Sequence, residues 1–265
     1  MQGCDIVYHV AASFRSGKAT ASELIDINAN GTRNMLDAAE KAGVSRFVHC
    51  STIGVLGHVE TPPANEDTPY NPCDDYQYSK MQGEQIALEY ARAGRVPVTV
   101  VRPASIYGEG DLRLLKLFRS IKKGMFVIVG SGEPHFHMVH VDDLATGFML
   151  AAENSSSVGE VYIIGGEHSV SINDLCQMIA EVLEVPAPRL RVPHGPVYAL
   201  SALVEDVCKS LKIEPPLYRR RVDFFHHNRS FEINKAQQQL GYTPRITAHE
   251  GIRRTAQWYA DQKLL

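Results

Sequence analysis

The chain has 265 residues, 44% of them hydrophobic and 22% charged, enough to bury a sizeable core in one large domain or two small ones. A formal net charge of −3 excludes a general electrostatic pull on nucleic acid. The five cysteines (Cys4, Cys50, Cys73, Cys176 and Cys208) form no C-x-x-C pair, and neither a signal peptide nor a run long enough to span a bilayer is visible, so a cytoplasmic protein with reduced thiols is expected, without a zinc site or an integral membrane segment.

The first apolar run, Asp5 to Ala12, reads as a buried strand. A helix is expected from about Ser22 to Gly43, with Thr20 and Glu23 spaced as a capping box and Gly43 as a stop. Leu24, Asn28, Gly31, Met35 and Ala38 share one stripe of it, so Asn28 faces the packed side and needs a polar partner there. That partner is either ordinary core or a backbone group ordered at a site. Arg46 to Thr52 is a second buried strand ending in two hydroxyls. Because successive strand residues point to opposite faces, only one of Ser51 and Thr52 can face a site. Residues 54–71 are rich in Pro, Gly and acids and read as a loop.

Asp74 or Asp75 can then cap a helix running to about Gly94. Its first turn carries Tyr76 and Lys80, four residues apart and so on one face. An ammonium beside a phenol favours the phenolate, which makes Tyr76 a candidate general base for an alcohol proton. Val96 to Pro103 is a third apolar strand, followed by a loop to Asp111. Strand–helix–strand–helix–strand indicates right-handed parallel crossovers in a sheet covered on both faces, with ligands bound beyond the carboxyl ends of the strands. Further on, helices are expected over 112–123, 140–154, 171–183, 234–240 and 248–262, and strands over 125–129 and 161–164.

His9-Val-Ala-Ala12, Asn28-x-x-Gly31-Thr32, Ser51-Thr52-x-x-Val55-x-Gly57, Tyr76-x-x-x-Lys80, Arg102-Pro103 with Tyr107-Gly108, His140-Val-Asp-Asp143 and Leu240-Gly-Tyr-x-Pro244 occur in this order. Together they make the sequence resemble the extended short-chain dehydrogenase/reductase family (NAD-dependent epimerase/dehydratase), over nearly the whole chain. The resemblance implies a Rossmann-like, doubly wound α/β fold with a parallel sheet and a smaller α+β lobe for substrate. Residues 1–107 and 141–166 would form the dinucleotide-binding part, and 108–140 and 167–265 the substrate lobe. It implies NAD or NADP as cofactor and Thr52, Tyr76 and Lys80 as the catalytic set. Ala11, Ala12, Ser51, Tyr76, Lys80, Arg102 and Pro103 would line the cofactor. A homodimer through the helix bundle that includes the Tyr76 helix is also implied.

No G-x-G-x-x-G stands between a strand and a helix in this sequence. Set against the family, the chain is expected to begin at the fourth strand, short of about 60 residues that carry the glycine-rich turn, and to expose the edge of a buried strand. Ile53-Gly54 follow the catalytic hydroxyl where dehydratases of the family carry Asp-Glu, which argues against elimination of water. The segment Pro215 to Val222 and the run Ser230 to Lys235 look most like the 3β-hydroxysteroid dehydrogenase branch. Val197, Leu200, Val204, Val207 and Leu211 make one apolar helical stripe, read first as core packing and second as a lid over a greasy substrate. Arg219 to Arg221 suit either a sugar diphosphate or a solvated turn. His135, His137 and His140 lack the carboxylate or cysteine pattern of a metal site, so no metal is expected. An oxidoreductase acting on a secondary alcohol or ketone is the leading reading. A nucleotide-sugar epimerase is the alternative, and a non-catalytic NAD(P)-binding sensor is the alternative of another class. In every case a small molecule is the partner.

Overall fold

In the computed structural model, residues 1–14, 19–210, 222 and 227–265 are described. Four strands, β1 (Ile6–His9), β2 (Arg46–Cys50), β3 (Val98–Pro103) and Val161–Ile164, form one parallel sheet in that order. The register pairs Tyr8 with Val48, Val48 with Thr99 and Val101 with Tyr162. β2 and β3 are buried along their whole length and carry no internal Pro or Gly, as central parallel strands require, whereas the strand expected to be buried over 5–12 is limited to Ile6–His9 and lies at the sheet edge with Ile6 and Tyr8 exposed.

Alternation along the strands sorts the core into two layers. Phe47, Val98 and Val100 pack with Ala29, Leu36, Ala39, Ile86, Ala87 and Tyr90 on one face. Those partners come from α2 (Gly31–Ala42), from α3 (Asp75–Arg92) and from the turn that joins α1 (Ala21–Ile25) to α2. Val48, Val101 and Tyr162 pack on the other face against Leu144, Phe148 and Ala151, and against Ala236, Leu240 and Tyr242. Leu144, Phe148 and Ala151 belong to the helix Val141–Glu153, and Ala236 and Leu240 to the helix Asn234–Leu240. The sheet is therefore doubly wound, and the chain returns to it with residues 234–240 after leaving for the smaller lobe.

The helix expected over 22–43 is divided. Asp26–Asn30 winds as a single π-helical turn between α1 and α2. The wider turn shifts the phase of everything after it. The buried stripe accordingly runs Leu24, Asn28, Ala29, Thr32, Leu36 and Ala39, while Gly31, Met35 and Ala38 are only half-buried. The Thr20–Glu23 capping box is present, and α2 stops at Gly43, which takes φ +64°.

A separate core holds the smaller lobe together. Leu115, Phe118 and Ile121 of the helix Leu115–Lys122 meet Leu175 and Ile179 of the helix Ile172–Val182, with Ile252, Ala256 and Tyr259 of the helix Ala248–Asp261 closing the cluster. The strand expected over 125–129 shortens to Ile128–Val129, which pairs with Arg191–Val192. In the helix His194–Ser210, Val197 and Val204 are half-buried whereas Leu200 and Val207 are exposed, as are Tyr198 and Leu203. The single stripe expected there thus divides between two faces, and ordinary core packing does not account for its outer half. Leu211, Pro215 to Leu217 and Arg219 to Arg221 lie outside the described residues. Among the described residues, no helix is long and apolar enough to cross a membrane, and no group of three His, Cys, Asp or Glu could hold a metal ion.

Candidate active site

The carboxyl ends of β1 and β2 and the first turn of α3 meet at one edge of the sheet. Asp74 caps α3, its side chain accepting from Gln77 N at 2.8 Å, which fixes the turn that carries Tyr76. Lys80, one turn on, is 2% exposed and its ammonium donates to Cys50 O at 2.7 Å. That bond ties α3 to the last residue of β2. Burial lowers the Lys80 pKa, while Cys50 and Glu84 act in the opposite sense.

Thr52 follows directly. It is half-buried, and its Oγ1 accepts from Gly54 N at 3.0 Å, capping a short 3-10 turn over Ile53–Leu56. A hydroxyl that accepts in this way keeps its own O–H to donate. The turn ends at Gly57, with φ +56°, where a Cβ would stand 1.7 Å from Asn71 O, so the glycine of this motif is required by close backbone approach.

Asn28 supplies the second tie. Its side chain accepts from Ser13 N at 2.7 Å and donates to Ser13 O at 3.0 Å and Ser79 Oγ at 2.9 Å. Ser79 Oγ in turn donates to Tyr76 O at 2.8 Å. Asn28 therefore orders the backbone after β1, where Ala11 and Ala12 are exposed, against the turn that carries Tyr76. The π-turn, whose Asn28 O lies close to Gly83, brings this amide to α3: a Cβ on Gly83 would meet that oxygen at 2.6 Å. The Phe14 ring sits edge-on to Tyr76 with centroids 4.8 Å apart.

Two residues expected to line a cofactor turn inward instead. Ser51 shares strand parity with Phe47 and His49, and Arg102 with Val98 and Val100, so both point to the face covered by α3. There they meet Glu84, fully buried one turn beyond Lys80. Arg102 Nη2 donates to Glu84 Oε1 at 2.7 Å and Nε lies 3.2 Å from both carboxylate oxygens. Ser51 Oγ donates to Oε2, and Tyr70 donates to Oε1 at 2.7 Å. Burial, then the charge of Glu84, push the Tyr70 phenol up to about 12, so it remains a donor. Pro103 is buried behind them. Sequence reasoning missed Glu84. The available signal was its spacing, four residues after Lys80 on the same helix face, with an arginine at matching parity on β3.

His9 and His49 line the inner side of this site, their rings 5.6 Å apart. His9 shares a hydrogen bond with Thr32 Oγ1 at 3.2 Å. Burial, then the charge of Lys80, push the His9 pKa down to about 4. Burial, Lys80 and His9 push His49 well below the ordinary histidine range. Both rings stay neutral in the fold while the unfolded chain takes up protons near 6.5, so their contribution to stability is present above that value and is lost as pH falls from 6.5 towards 4. We expect urea-unfolding free energy to drop by about 2 kcal/mol between pH 7 and pH 5 from His9 alone. A His9→Phe/His49→Phe variant should flatten that slope; an unchanged slope would refute the assignment.

His135, His137 and His140 are each engaged with other groups. His137 bridges Gly166 O at 2.7 Å and Phe231 N at 3.3 Å. His140 packs edge-on to Tyr107, and its Nε2 lies 3.2 Å from Glu109 Oε2. His135 Nδ1 lies 3.2 Å from Ser169 Oγ.

The profile of the family described as "NAD dependent epimerase/dehydratase family" matches residues 1–165. The chain is 29% identical over 281 residues to the 3beta-hydroxysteroid-dehydrogenase/decarboxylase isoform 1 of Arabidopsis thaliana, covering 99% of this chain and 64% of that protein. It is 30% identical over 258 residues to the 4-hydroxy-2-methyl-3-oxo-4-farnesyl-3,4-dihydroquinoline-1-oxide ketoreductase of Stigmatella aurantiaca, covering 95% of this chain and 76% of that one. Among solved structures, the dTDP-glucose 4,6-dehydratase DesIV of Streptomyces venezuelae, crystallised with NAD and TYD, superposes with a TM-score of 0.76 at 26% identity, covering 99% of this chain and 75% of DesIV. The chain thus spans less than two thirds of the length of the Arabidopsis relative.

Proposed function

The chain belongs to the NAD dependent epimerase/dehydratase family, and from that premise we propose that it is an NAD(P)-dependent oxidoreductase acting on a secondary alcohol or ketone. One observation carries the reading: Lys80 is bonded to the carbonyl that ends β2, which brings the Tyr76–Lys80 face of α3 and Thr52 to the same strand edge. That is the place where parallel sheets of this kind bind ligands.

The residues present suit the nicotinamide half of a dinucleotide. Ala11 and Ala12 offer small, exposed residues after β1, Lys80 holds an ammonium at the end of β2, and Thr52 keeps a hydroxyl proton to donate. Ser51 and Arg102 hold the walls of the site through Glu84. A nicotinamide dinucleotide, when bound, supplies the hydride acceptor. Tyr76 takes the proton from the substrate hydroxyl as the C–H bond breaks, and returns it in the reverse direction. Lys80 stabilises the phenolate form through its charge. Thr52 donates to the substrate oxygen and so stabilises charge developing there.

An apolar secondary alcohol of the 3β-hydroxysteroid type is the favoured substrate class. It is supported by the names of the Arabidopsis and Stigmatella relatives, one referring to a steroid and the other to a farnesyl quinoline, and by the exposed outer face of the helix His194–Ser210. The smaller lobe is read as the substrate side. Nucleotide-sugar epimerisation would use the same hydroxyl, tyrosine and lysine, and the family description includes it.

The test is a fluorescence titration of the 265-residue protein with NADH and with NADPH, followed by pregnenolone-dependent reduction of NAD+ and NADP+ read at 340 nm. Saturable binding of one coenzyme and steroid-dependent turnover are expected. Binding without turnover on any alcohol would favour a sensor, and turnover of a nucleotide sugar alone would favour the epimerase.

A further inference from the structure

Ser51 stands beside Thr52 but cannot share its task. The side chain is 4% exposed, and its hydroxyl donates to Glu84 on the far side of the strand from Thr52. Glu84 is not a surface acid that happens to lie near. Its carboxylate receives Arg102 from β3, Tyr70 from the loop before α3 and Ser51 from the end of β2, so three separate segments converge on one buried group. Arg102 extends the network by donating through Nη1 to Glu66 O at 3.1 Å, and Glu66 Oε1 accepts from Ile163 N at 2.8 Å. The strand end is also held by Ser51 N, which donates to Val101 O at 2.7 Å. Glu84 lies one helical turn from Lys80 and two from Tyr76. Whatever fixes Glu84 relative to Ser51 therefore fixes Tyr76 and Lys80 relative to Thr52.

We propose that Ser51, Glu84, Arg102 and Tyr70 form a positioning network that sets the distance between the Thr52 hydroxyl and the Tyr76 phenol, with the Ser51–Glu84 hydrogen bond as its link to the catalytic strand end. None of the four touches the reacting atoms. The inference rests on the oxidoreductase reading above and adds to it a role for residues that the family resemblance placed elsewhere or did not include. A misplacement of about 1 Å between reacting groups can lower a rate about 100-fold, so a single buried hydroxyl acting through geometry has room for a large effect.

Ser51→Ala is the decisive variant, because it removes one oxygen and leaves the Glu84–Arg102 pair and the Tyr70 bond in place. We expect kcat for pregnenolone oxidation to fall about tenfold or more, while the Kd for the preferred coenzyme stays within about twofold and the circular dichroism spectrum is unchanged. Ser51→Thr, which restores the hydroxyl, should recover most of the lost turnover. A second readout needs no substrate: the ionisation of Tyr76, taken as the part of the 295 nm absorbance titration that Tyr76→Phe removes, should move upward by about half a pH unit or more in Ser51→Ala, as the Lys80–Cys50 tie loosens.

Unchanged kcat and unchanged Tyr76 ionisation in Ser51→Ala would overturn the inference. So would a coenzyme Kd raised tenfold at constant kcat, which would make Ser51 a cofactor ligand, or a loss of kcat that only tracks a loss of folded protein. If Thr52→Ala and Tyr76→Phe abolish turnover while Ser51→Ala does not, this inference alone fails. If Thr52→Ala and Tyr76→Phe are themselves silent, the oxidoreductase reading fails, and the Tyr76 titration still decides whether the network acts on the phenol.

Discussion

Tyr76→Phe is expected to lower turnover by about 10²–10⁴-fold, the range assigned to a positioned acid or base, while leaving coenzyme binding nearly unchanged. The substitution removes only the phenolic oxygen. The ring that packs edge-on against Phe14 remains, as do the Asp74 cap and the Ser79–Tyr76 backbone bond. Neither the helix start nor the Asn28 tie depends on the phenol. Thr52→Ala should follow in the same assay with a smaller loss, because in the proposed mechanism the hydroxyl stabilises charge on the substrate oxygen without exchanging its proton. Steady-state kinetics of the proposed steroid oxidation, with parallel NADH and NADPH titrations, separate the two terms. Turnover of Tyr76→Phe equal to that of the unaltered protein would remove Tyr76 from the mechanism.

Glu84→Ala should be the most destabilising single substitution near the site, by about 3–5 kcal/mol, because it leaves a buried guanidinium without its counter-charge. Arg102 is 3% exposed and Glu84 is fully buried. Burial acts to lower the Arg102 pKa, and Glu84 together with Tyr70 more than offsets it, so that the net shift is upward. Removing the carboxylate also strands the donors of Tyr70 and Ser51 in the interior. A Glu84→Met/Arg102→Met pair removes both charges together and should cost less than Glu84→Ala alone, since desolvation of an ion pair consumes much of its attraction. Urea denaturation at pH 7 measures both. A cost below about 1 kcal/mol for Glu84→Ala would show that water reaches Arg102 and that the pair is not the buried anchor described here.

Much of the architecture was legible in advance because it depends on local signals. The strand at 161–164 and the helix at 234–240 appear at their expected bounds, each marked by a short apolar run or by a following glycine. An aspartate cap for α3 was legible as Asp74 or Asp75, and the structure assigns it to Asp74. The divided helix over 21–42 was not legible. A π-turn shifts the hydrophobic phase partway along, so a single 3.6-residue pattern fitted across it places Gly31, Met35 and Ala38 where Thr32, Leu36 and Ala39 belong. The split of the 197–207 stripe has a similar origin, since apolar composition marks a helix without saying which side is covered.

By itself, the sequence determined which groups are chemically available at the strand edge: a threonine hydroxyl, a phenol and an ammonium one turn apart, and an amide on the preceding helix. These follow from residue identity and from helix and strand periods, which are local. Only the tertiary structure showed that the Ser51 hydroxyl turns inward to Glu84 while Thr52 stays half-buried at the strand edge. Glu84 lies 33 residues beyond Ser51 in the chain, and Arg102 a further 18. That a buried carboxylate would gather Ser51, Arg102 and Tyr70 depends on how α3 is laid across β2 and β3. A charge removed from water must find partners wherever the fold brings them, so their identity is set by packing across the sheet and not by spacing along the chain.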